Sequence, residues 1–243
     1  MTTRADKYLV DHGYAASRAE AQAAILAGNV WSDGKPVGKV SQPIAEGATV
    51  TYEKSHPYVS RGALKLVAAL DRFGLSPSGL TCIDVGASTG GFTQALLERG
   101  ATKVYAVDVG HGQMRGLLTS DPRVVVLEGV NARDLSAAQV PDAVDAIVVD
   151  VSFISLKLVL PAALSLAQSG AWLVVLVKPQ FEVGRENVGK GGIVKDETAR
   201  DRALKEIVDW LGAQRGWSVE GQMDSPVAGG DGNREFLVAA RKT

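Results

Sequence analysis

The stretch Thr81-Cys-Ile-Asp-Val-Gly-Ala-Ser-Thr-Gly-Gly-Phe-Thr93 decides the fold. Its first five residues are a short run of apolar and β-branched character, read as a buried strand. Gly86, Gly90 and Gly91 then let the backbone turn sharply and approach a ligand closely. A helical pattern follows from Gly91. A strand that runs through a glycine turn into a helix is the entry to a nucleotide-type crevice. The next strand, 103–108, ends in Asp108, and a carboxylate at that place suits ribose hydroxyls. The glycine spacing is G-x-x-x-G-G. It matches neither the dinucleotide fingerprint G-x-G-x-x-G nor the phosphate loop G-x-x-x-x-G-K-[ST]. S-adenosylmethionine, which has no phosphate, is the remaining common ligand. Asp84 fits a cationic ligand better than a pyrophosphate. Ala87, Ser88, Phe92, Thr93 and Val109 belong to the same candidate edge. Asn131, Ala132 and Arg133, after the third strand, are placed to contact the adenine. The competing reading is a glycine turn that only packs a helix on a sheet.

Outward from that turn, strands are expected at 81–85, 103–108, 124–127, 146–150, 172–177, 218–222 and 236–240. Helices are expected at 63–73, 91–99, 158–168 and 196–214. Apolar strands alternating with helices imply a parallel sheet covered on both faces. The last two strands have no helix between them, which suggests an antiparallel hairpin at the sheet edge. The polar, Gly-rich segment 179–195 reads as a long loop, of a kind often used as a lid.

The first fifty residues have a different texture. A helical pattern over 5–12 stops at Gly13. Ser17 and Glu20 form an S-x-x-E capping box that opens a second helix, which Gly28 ends. Val30 and Trp31 lead into Asp33-Gly34, a hairpin turn signal. A closing strand is expected at 50–52. The whole block reads as two helices and a small β-ribbon over residues 1–54. A linker follows at 55–59, and the α/β block covers 60–243.

Composition bounds the function. The 243 residues carry 26 basic and 27 acidic side chains, a net charge of −1. A globally basic nucleic-acid binder is excluded, but a local basic patch is not. One cysteine, Cys82, excludes a disulfide framework and a cysteine-based zinc site. Three histidines make no His-rich metal centre, so no metal is expected. The chain shows no secretory h-region and no apolar run of bilayer length. A cytoplasmic protein without a membrane partner is the expectation.

Four ionisable residues stand at chemically informative places. Asp150 ends the fourth strand, and Lys178 follows the fifth. Parallel strands discharge their carboxyl ends at one edge, so these two share a crevice. Lys65 lies in the entry helix and Glu235 begins the last strand. Such a K–D–K–E group suits methyl transfer to a ribose hydroxyl, where alignment and removal of a proton are the work to be done. Burial beside a second lysine would lower the Lys178 pKa and make its neutral amine accessible. For any one of these residues alone, a surface ion pair is the commoner reading.

The motifs resemble a known family. Arg4…Leu9…Gly13…Ser17-Arg18…Ala21…Ile25…Gly28-Asn-Val30…Gly34 resembles the S-four RNA-binding domain. Ser60-Arg-Gly-Ala-Leu-Lys65, Asp84 to Thr93, Val107-Asp-Val-Gly-His-Gly-Gln113, Asp150-Val-Ser-Phe-Ile-Ser-Leu156 and Val177-Lys-Pro-Gln-Phe-Glu-Val-Gly184 resemble FtsJ-like ribose methyltransferases of the TlyA, or hemolysin A, family. The resemblance spans nearly the whole chain. It implies a Rossmann-like α/β methyltransferase behind a small α+β RNA-binding domain. It implies S-adenosylmethionine-dependent 2′-O-methylation of a cytidine in ribosomal RNA, with Lys65, Asp150, Lys178 and Glu235 at the catalytic positions. It also implies ribosomal RNA or a ribosomal subunit as partner. The early end of the chain corresponds to the family's short form and points to the large-subunit RNA. His111 departs from the aromatic expected at its place.

RNA contacts are expected from Arg4, Arg18, Gln22, Lys35, Arg61, Arg185 and Lys190. The first block is neutral overall, with six basic and six acidic residues. Binding therefore depends on charge asymmetry, with a basic excess over 54–72 and more on the loop after Lys178. Two other classes remain: a non-catalytic RNA-binding assembly factor, and a cytolysin. The intact glycine turn and the four ionisable residues argue against the first. The absence of a spanning or strongly amphipathic basic segment argues against the second. Oligomeric state is not legible.

Overall fold

The structure is a computed structural model, and it describes residues 2–15, 17–53, 56–229 and 232–243. Lys54, counted above in the basic stretch, lies outside the described residues. The chain divides into two compact units, residues 1–57 and 58–243.

The first unit contains β1 (Thr2–Arg4), α1 (Ala5–Asp11), α2 (Arg18–Leu26), β2 (Val30–Ser32), β3 (Lys35–Pro36), β4 (Pro43–Ala45) and β5 (Val50–Tyr52). Ser17 caps α2 by accepting from the Glu20 amide at 3.2 Å, and the Glu20 carboxylate accepts from the Tyr52 hydroxyl at 3.1 Å. Strands β3, β2 and β5 form a three-stranded antiparallel sheet. A second small sheet pairs β1 with β4, so the unit holds more than the single ribbon expected. Three residues of strand are too few to show a period, which is why the pattern missed it. Tyr8, Leu9, Ile25, Val30 and Ile44 fill the core of this unit.

The second unit contains α3 (Gly62–Phe73), β6 (Thr81–Val85), α4 (Gly91–Glu98), β7 (Lys103–Asp108), α5 (Gly116–Thr119), β8 (Val124–Glu128), β9 (Val144–Val149), α6 (Leu156–Leu166), β10 (Ala167–Val177), α7 (Pro179–Glu182), α8 (Glu197–Gly212), β11 (Trp217–Asp224) and β12 (Phe236–Lys242). They build a seven-stranded sheet in the order β11-β12-β10-β9-β6-β7-β8. Strands β10, β9, β6, β7 and β8 run parallel. Strand β12 inserts antiparallel between β10 and β11. The expected edge hairpin is thus present.

Side-chain alternation explains both faces. Ile83, Ile147, Leu173 and Val238 pack on one side with Leu160 of α6 and Ile207 of α8. Cys82, Val148, Val174 and Leu237 pack on the other with Leu66 of α3 and Leu96 of α4. Burial pushes the Cys82 thiol up to about 12, so it acts as a small apolar filler.

Several boundaries differ from expectation: β9 ends at Val149, so Asp150 stands just beyond it, and the short helix α5 is not among the expected helices. Helix α6 starts at Leu156 because Ser155 caps it, accepting from the Lys157 amide. It gives way directly to β10, so Gln168 is strand rather than helix. The segment after Lys178 is not a bare loop. It carries α7 and two 3-10 turns, 185–187 and 190–192, and buries Val194. Asn233 holds that end, accepting from the Val194 amide at 3.0 Å and donating to the Gly192 carbonyl at 2.8 Å.

Candidate active site

The carboxyl ends of β6, β7 and β9 meet at Gly86. Its φ is +84°, and a Cβ there would collide with the Asp150 carbonyl oxygen. Only glycine lets these backbones close together. The Gly86 and Ala87 amides both donate to the Val107 carbonyl, at 2.8 and 3.1 Å. The Asp150 amide donates to the Val85 carbonyl at 2.9 Å.

Asp84 lies beneath this turn and is fully buried. One oxygen accepts from the Thr93 hydroxyl at 2.6 Å. The other, Oδ1, meets no donor. Burial pushes its pKa up to about 7, and the charges of Asp150 and Asp108 add to that rise.

At the end of β7, Asp108 accepts from the Ser88 amide at 2.8 Å and the Gly110 amide at 2.7 Å. A carboxylate has about four lone-pair sites, so acceptor capacity remains for ligand hydroxyls. Glu128, ending β8, accepts from the Gly112 and Gln113 amides at 2.7 and 3.1 Å. Those backbone bonds hold its pKa below the usual carboxylate range. The 109–115 loop is therefore shaped by two acids, and Gln113 closes it by accepting from the Ser88 hydroxyl at 3.1 Å.

Two cavities adjoin here. The first has a volume of about 390 Å³ and is lined by Asp108, Val109, Asn131, Ala132, Val151 and Phe153 among others. That volume suits a small-molecule site, typically ~300–1,000 Å³. The second, about 270 Å³, is lined by Arg61, Lys65, Ala87, Gly91, Phe92 and Val227 among others. Gly86, Ser88 and Asp150 belong to both walls. Arg133 does not line the first cavity; its N and Nε both donate to Asn131 Oδ1. Asp84, Gly90 and Thr93 also stand back from both cavities.

The four ionisable residues form two ion pairs, of which Lys65 and Asp150 line the cavities and Lys178 and Glu235 do not. Lys178 Nζ lies 2.6 Å from Asp150 Oδ1 and donates to the Ser152 hydroxyl at 2.9 Å. Lys65 donates to Glu235 at 2.5 Å, and both are buried. Helix α3 brings Lys65 to the site: a Cβ on Gly62 would stand 3.6 Å from Asp150 Oδ2. Strand β12 brings Glu235, which immediately precedes it.

Two features at this rim escaped the pattern reading. Phe153 is 90% exposed at φ +65°, and its ring lies 5.1 Å from that of Phe181. A bulky residue in left-handed backbone is strained, and such strain gathers at functional sites. Glu182 accepts from the Ser155 hydroxyl at 2.6 Å and the Leu156 amide at 2.8 Å. It joins the segment after Lys178 to the segment after Asp150. Of the expected RNA contacts, Arg61 is exposed at the mouth of the second cavity. Arg185 and Lys190 are exposed on the 3-10 turns, and Lys35 is exposed on its hairpin. Arg4, Arg18 and Gln22 converge on the buried Asp6.

Comparison with known proteins agrees with this geometry. Residues 58–242 match the FtsJ-like methyltransferase family, and residues 3–50 match the S4 domain. The chain is 45% identical to the 16S/23S rRNA (cytidine-2′-O)-methyltransferase TlyA of Mycobacterium tuberculosis, covering 98% of this chain and 89% of that protein. It is 39% identical to Hemolysin A of Brachyspira hyodysenteriae, covering 97% and 98%. A solved structure from Streptococcus thermophilus superposes with a TM-score of 0.78 at 39% identity, covering 100% of this chain and 89% of that one. Glycine turn, paired acids and lysines, and similarity along nearly the full length converge: the chain belongs to the TlyA family of FtsJ-like methyltransferases, with an S4 domain ahead of the catalytic fold.

Proposed function

We propose that this protein transfers the methyl group of S-adenosylmethionine to the 2′-hydroxyl of a cytidine in ribosomal RNA. The observation that carries the reading is Asp150 in the wall shared by two adjoining cavities, with Lys178 paired to it at 2.6 Å. The residues fit the cofactor. Asp108 offers acceptors for ribose hydroxyls, Val109 and Ala132 offer apolar faces for an adenine, and the buried Asp84 has an oxygen without a donor. When bound, S-adenosylmethionine supplies an activated sulfonium methyl.

The protein's own work is alignment and proton removal. Asp150 and Ser152 fix the direction of Lys178 Nζ. Lys178 steers the hydroxyl, and the pair takes up the proton: the ammonium passes one proton to the Asp150 carboxylate as it takes the hydroxyl's, so the pair goes from neutral to a net charge of +1. Lys65 and Glu235 form the opposite, buried pair that orients the ribose. Phe153 offers an exposed ring on which the target base stacks. Arg61 meets the phosphate backbone beside the second cavity. Among the described residues no helix is long and apolar enough to cross a membrane.

The test is Lys178→Ala. Methyl incorporation into ribosomal RNA from a deletion strain should be lost, while RNA binding is kept. Mass mapping of both 16S and 23S RNA should show one cytidine 2′-O-methyl missing in the deletion strain and restored by the wild type. Full activity in Lys178→Ala would refute the catalytic assignment. Restoration of no ribose methyl would refute the reaction.

A further inference from the structure

In the first unit one carboxylate gathers the charged chemistry of the surface. Asp6 follows β1 in the first turn of α1 and has no exposed side-chain surface. Oδ1 accepts from Arg4 Nε at 3.0 Å. Oδ2 accepts from Arg4 Nη2 at 3.3 Å, Arg18 Nε at 3.1 Å, Arg18 Nη2 at 2.6 Å and Gln22 Nε2 at 3.1 Å. Arg18 and Gln22 are one turn apart on α2, so both reach the same point from one helix face. Arg4 reaches it from the end of β1. The guanidinium contacts hold the Asp6 carboxyl below the usual carboxylate range.

The geometry is one-sided. The carboxylate is inside, while the Arg4 and Arg18 side chains stay 53% and 60% exposed. Each guanidinium spends its Nε and Nη2 on Asp6. Each therefore turns Nη1 away from the carboxylate, in a fixed fork. Two guanidinium groups on one carboxylate leave a net charge of +1. A pair of immobilised guanidiniums with outward donors matches the oxygens of a phosphodiester.

We propose that Asp6 is a positioning residue that holds Arg4 and Arg18 as one preorganised clamp for an RNA phosphate. The proposal rests on the reading of RNA as substrate and adds the group that organises its contact. Locking long side chains before binding removes an entropic penalty at the moment of binding. The arginines are the contacts; Asp6 never meets the RNA.

The experiment turns on a sign. Asp6→Asn removes a negative charge from a surface that meets a polyanion. Coulomb attraction alone would tighten binding. Loss of the clamp weakens it. Binding of deproteinised ribosomal RNA from a deletion strain is measured by filter retention across a salt series, with full-length protein. Asp6→Asn should weaken binding by about 5–10-fold at fixed salt, raise KM for RNA and leave kcat at saturating RNA unchanged. Gln22→Leu keeps every charge and both arginine contacts, and should weaken binding by about 2-fold in the same direction. Thermal melts establish that each variant is folded. Should Asp6→Asn fail to fold, Gln22→Leu decides alone. Equal or tighter binding in a folded Asp6→Asn overturns the proposal, and so does unchanged binding in Gln22→Leu. Absence of salt-dependent binding in the wild type overturns the RNA reading itself, a distinct result.

Discussion

Asp6 and Asp84 are both fully buried carboxylates, one in each unit, and they meet opposite fates. Asp6 has five donor contacts from two arginines and a glutamine, and its pKa is driven down. Asp84 has the Thr93 hydroxyl, an oxygen without a donor, and a pKa pushed up to about 7. Burial disfavours both charges, and it dominates at Asp84 while the arginine contacts outweigh it at Asp6. Asp6 is complete within the fold. Asp84 is not: one of its oxygens stays without a donor beneath the glycine turn, although it lines neither cavity. The difference makes the charge on Asp84 the one to test against a cationic ligand.

The largest effect should come from breaking that asymmetry at Asp84. Asp84→Asn keeps the shape and removes the charge. If the carboxylate serves a cationic cofactor, S-adenosylmethionine affinity at pH 8 should fall about 10–100-fold, the range for losing a charge-assisted contact of roughly 1.5–3 kcal/mol. The ligand-free variant should melt higher than the wild type at the same pH. Displacement of the carboxyl from 3.8 to about 7 corresponds to roughly 4 kcal/mol at most. Calorimetry and a thermal melt read the two halves. Unchanged affinity would return Asp84 to a packing role.

pH sharpens the same comparison. A raised pKa in the folded state means the neutral acid is favoured by folding. The stabilisation from Asp84 is complete below its ordinary 3.8 and is lost as pH rises through about 7. Asp6 runs the other way, with its contribution present above 3.8 and lost as pH falls below it. Asp84→Asn should flatten the neutral side of the stability profile, and Asp6→Asn the acid side. Cofactor binding near pH 6 should release a fraction of a proton, because a cation favours the ionised Asp84. Titration calorimetry in two buffers of unlike ionisation enthalpy measures that fraction. A value of zero would separate Asp84 from the ligand.

The sequence showed these two acids unequally. Asp84 is legible because a glycine turn follows it, and β6 and β7 lie where the apolar runs put them. Their buried faces leave no other register. Asp150 and Lys178 meet because strand ends of one parallel sheet must share an edge. Lys65 and Glu235 stand out in the sequence at the entry helix and the start of the last strand, but their contact depends on β12 inserting between β10 and β11, which no local pattern encodes. Asp6 is one of the six acids of a block that is neutral overall. Its role appears only when β1, α1 and α2 bring three side chains to one point. Phe153 sat inside a quoted motif, yet its positive φ is a backbone property that side-chain chemistry does not announce.

A third carboxylate, Glu182, lies between the extremes and should give the smallest effect. It is partly buried, and burial raises its pKa, as at Asp84. It also accepts from the Ser155 hydroxyl and the Leu156 amide, so it is satisfied from within, as at Asp6. Its two donors open α6, and Glu182 itself ends α7, the short helix that starts just after Lys178. It thus ties the segment that follows Lys178 to the one that follows Asp150. Glu182→Gln keeps one acceptor and exchanges a charge-assisted bond for a neutral one, a loss of about 1 kcal/mol. The melting temperature should fall by a few degrees, since ~1 kcal/mol moves a domain of this size by ~2–4 °C. Affinity for S-adenosylmethionine should hold, because Glu182, unlike Asp84, already has both oxygens engaged by protein donors and lines neither cavity. The turnover number should fall several-fold, because Lys178 and Asp150 lose the tie between their segments. A drop in stability with turnover intact would show that α7 and α6 hold their places without that bond, and would leave the partner geometry of Lys178 to Ser152 and Asp150 alone.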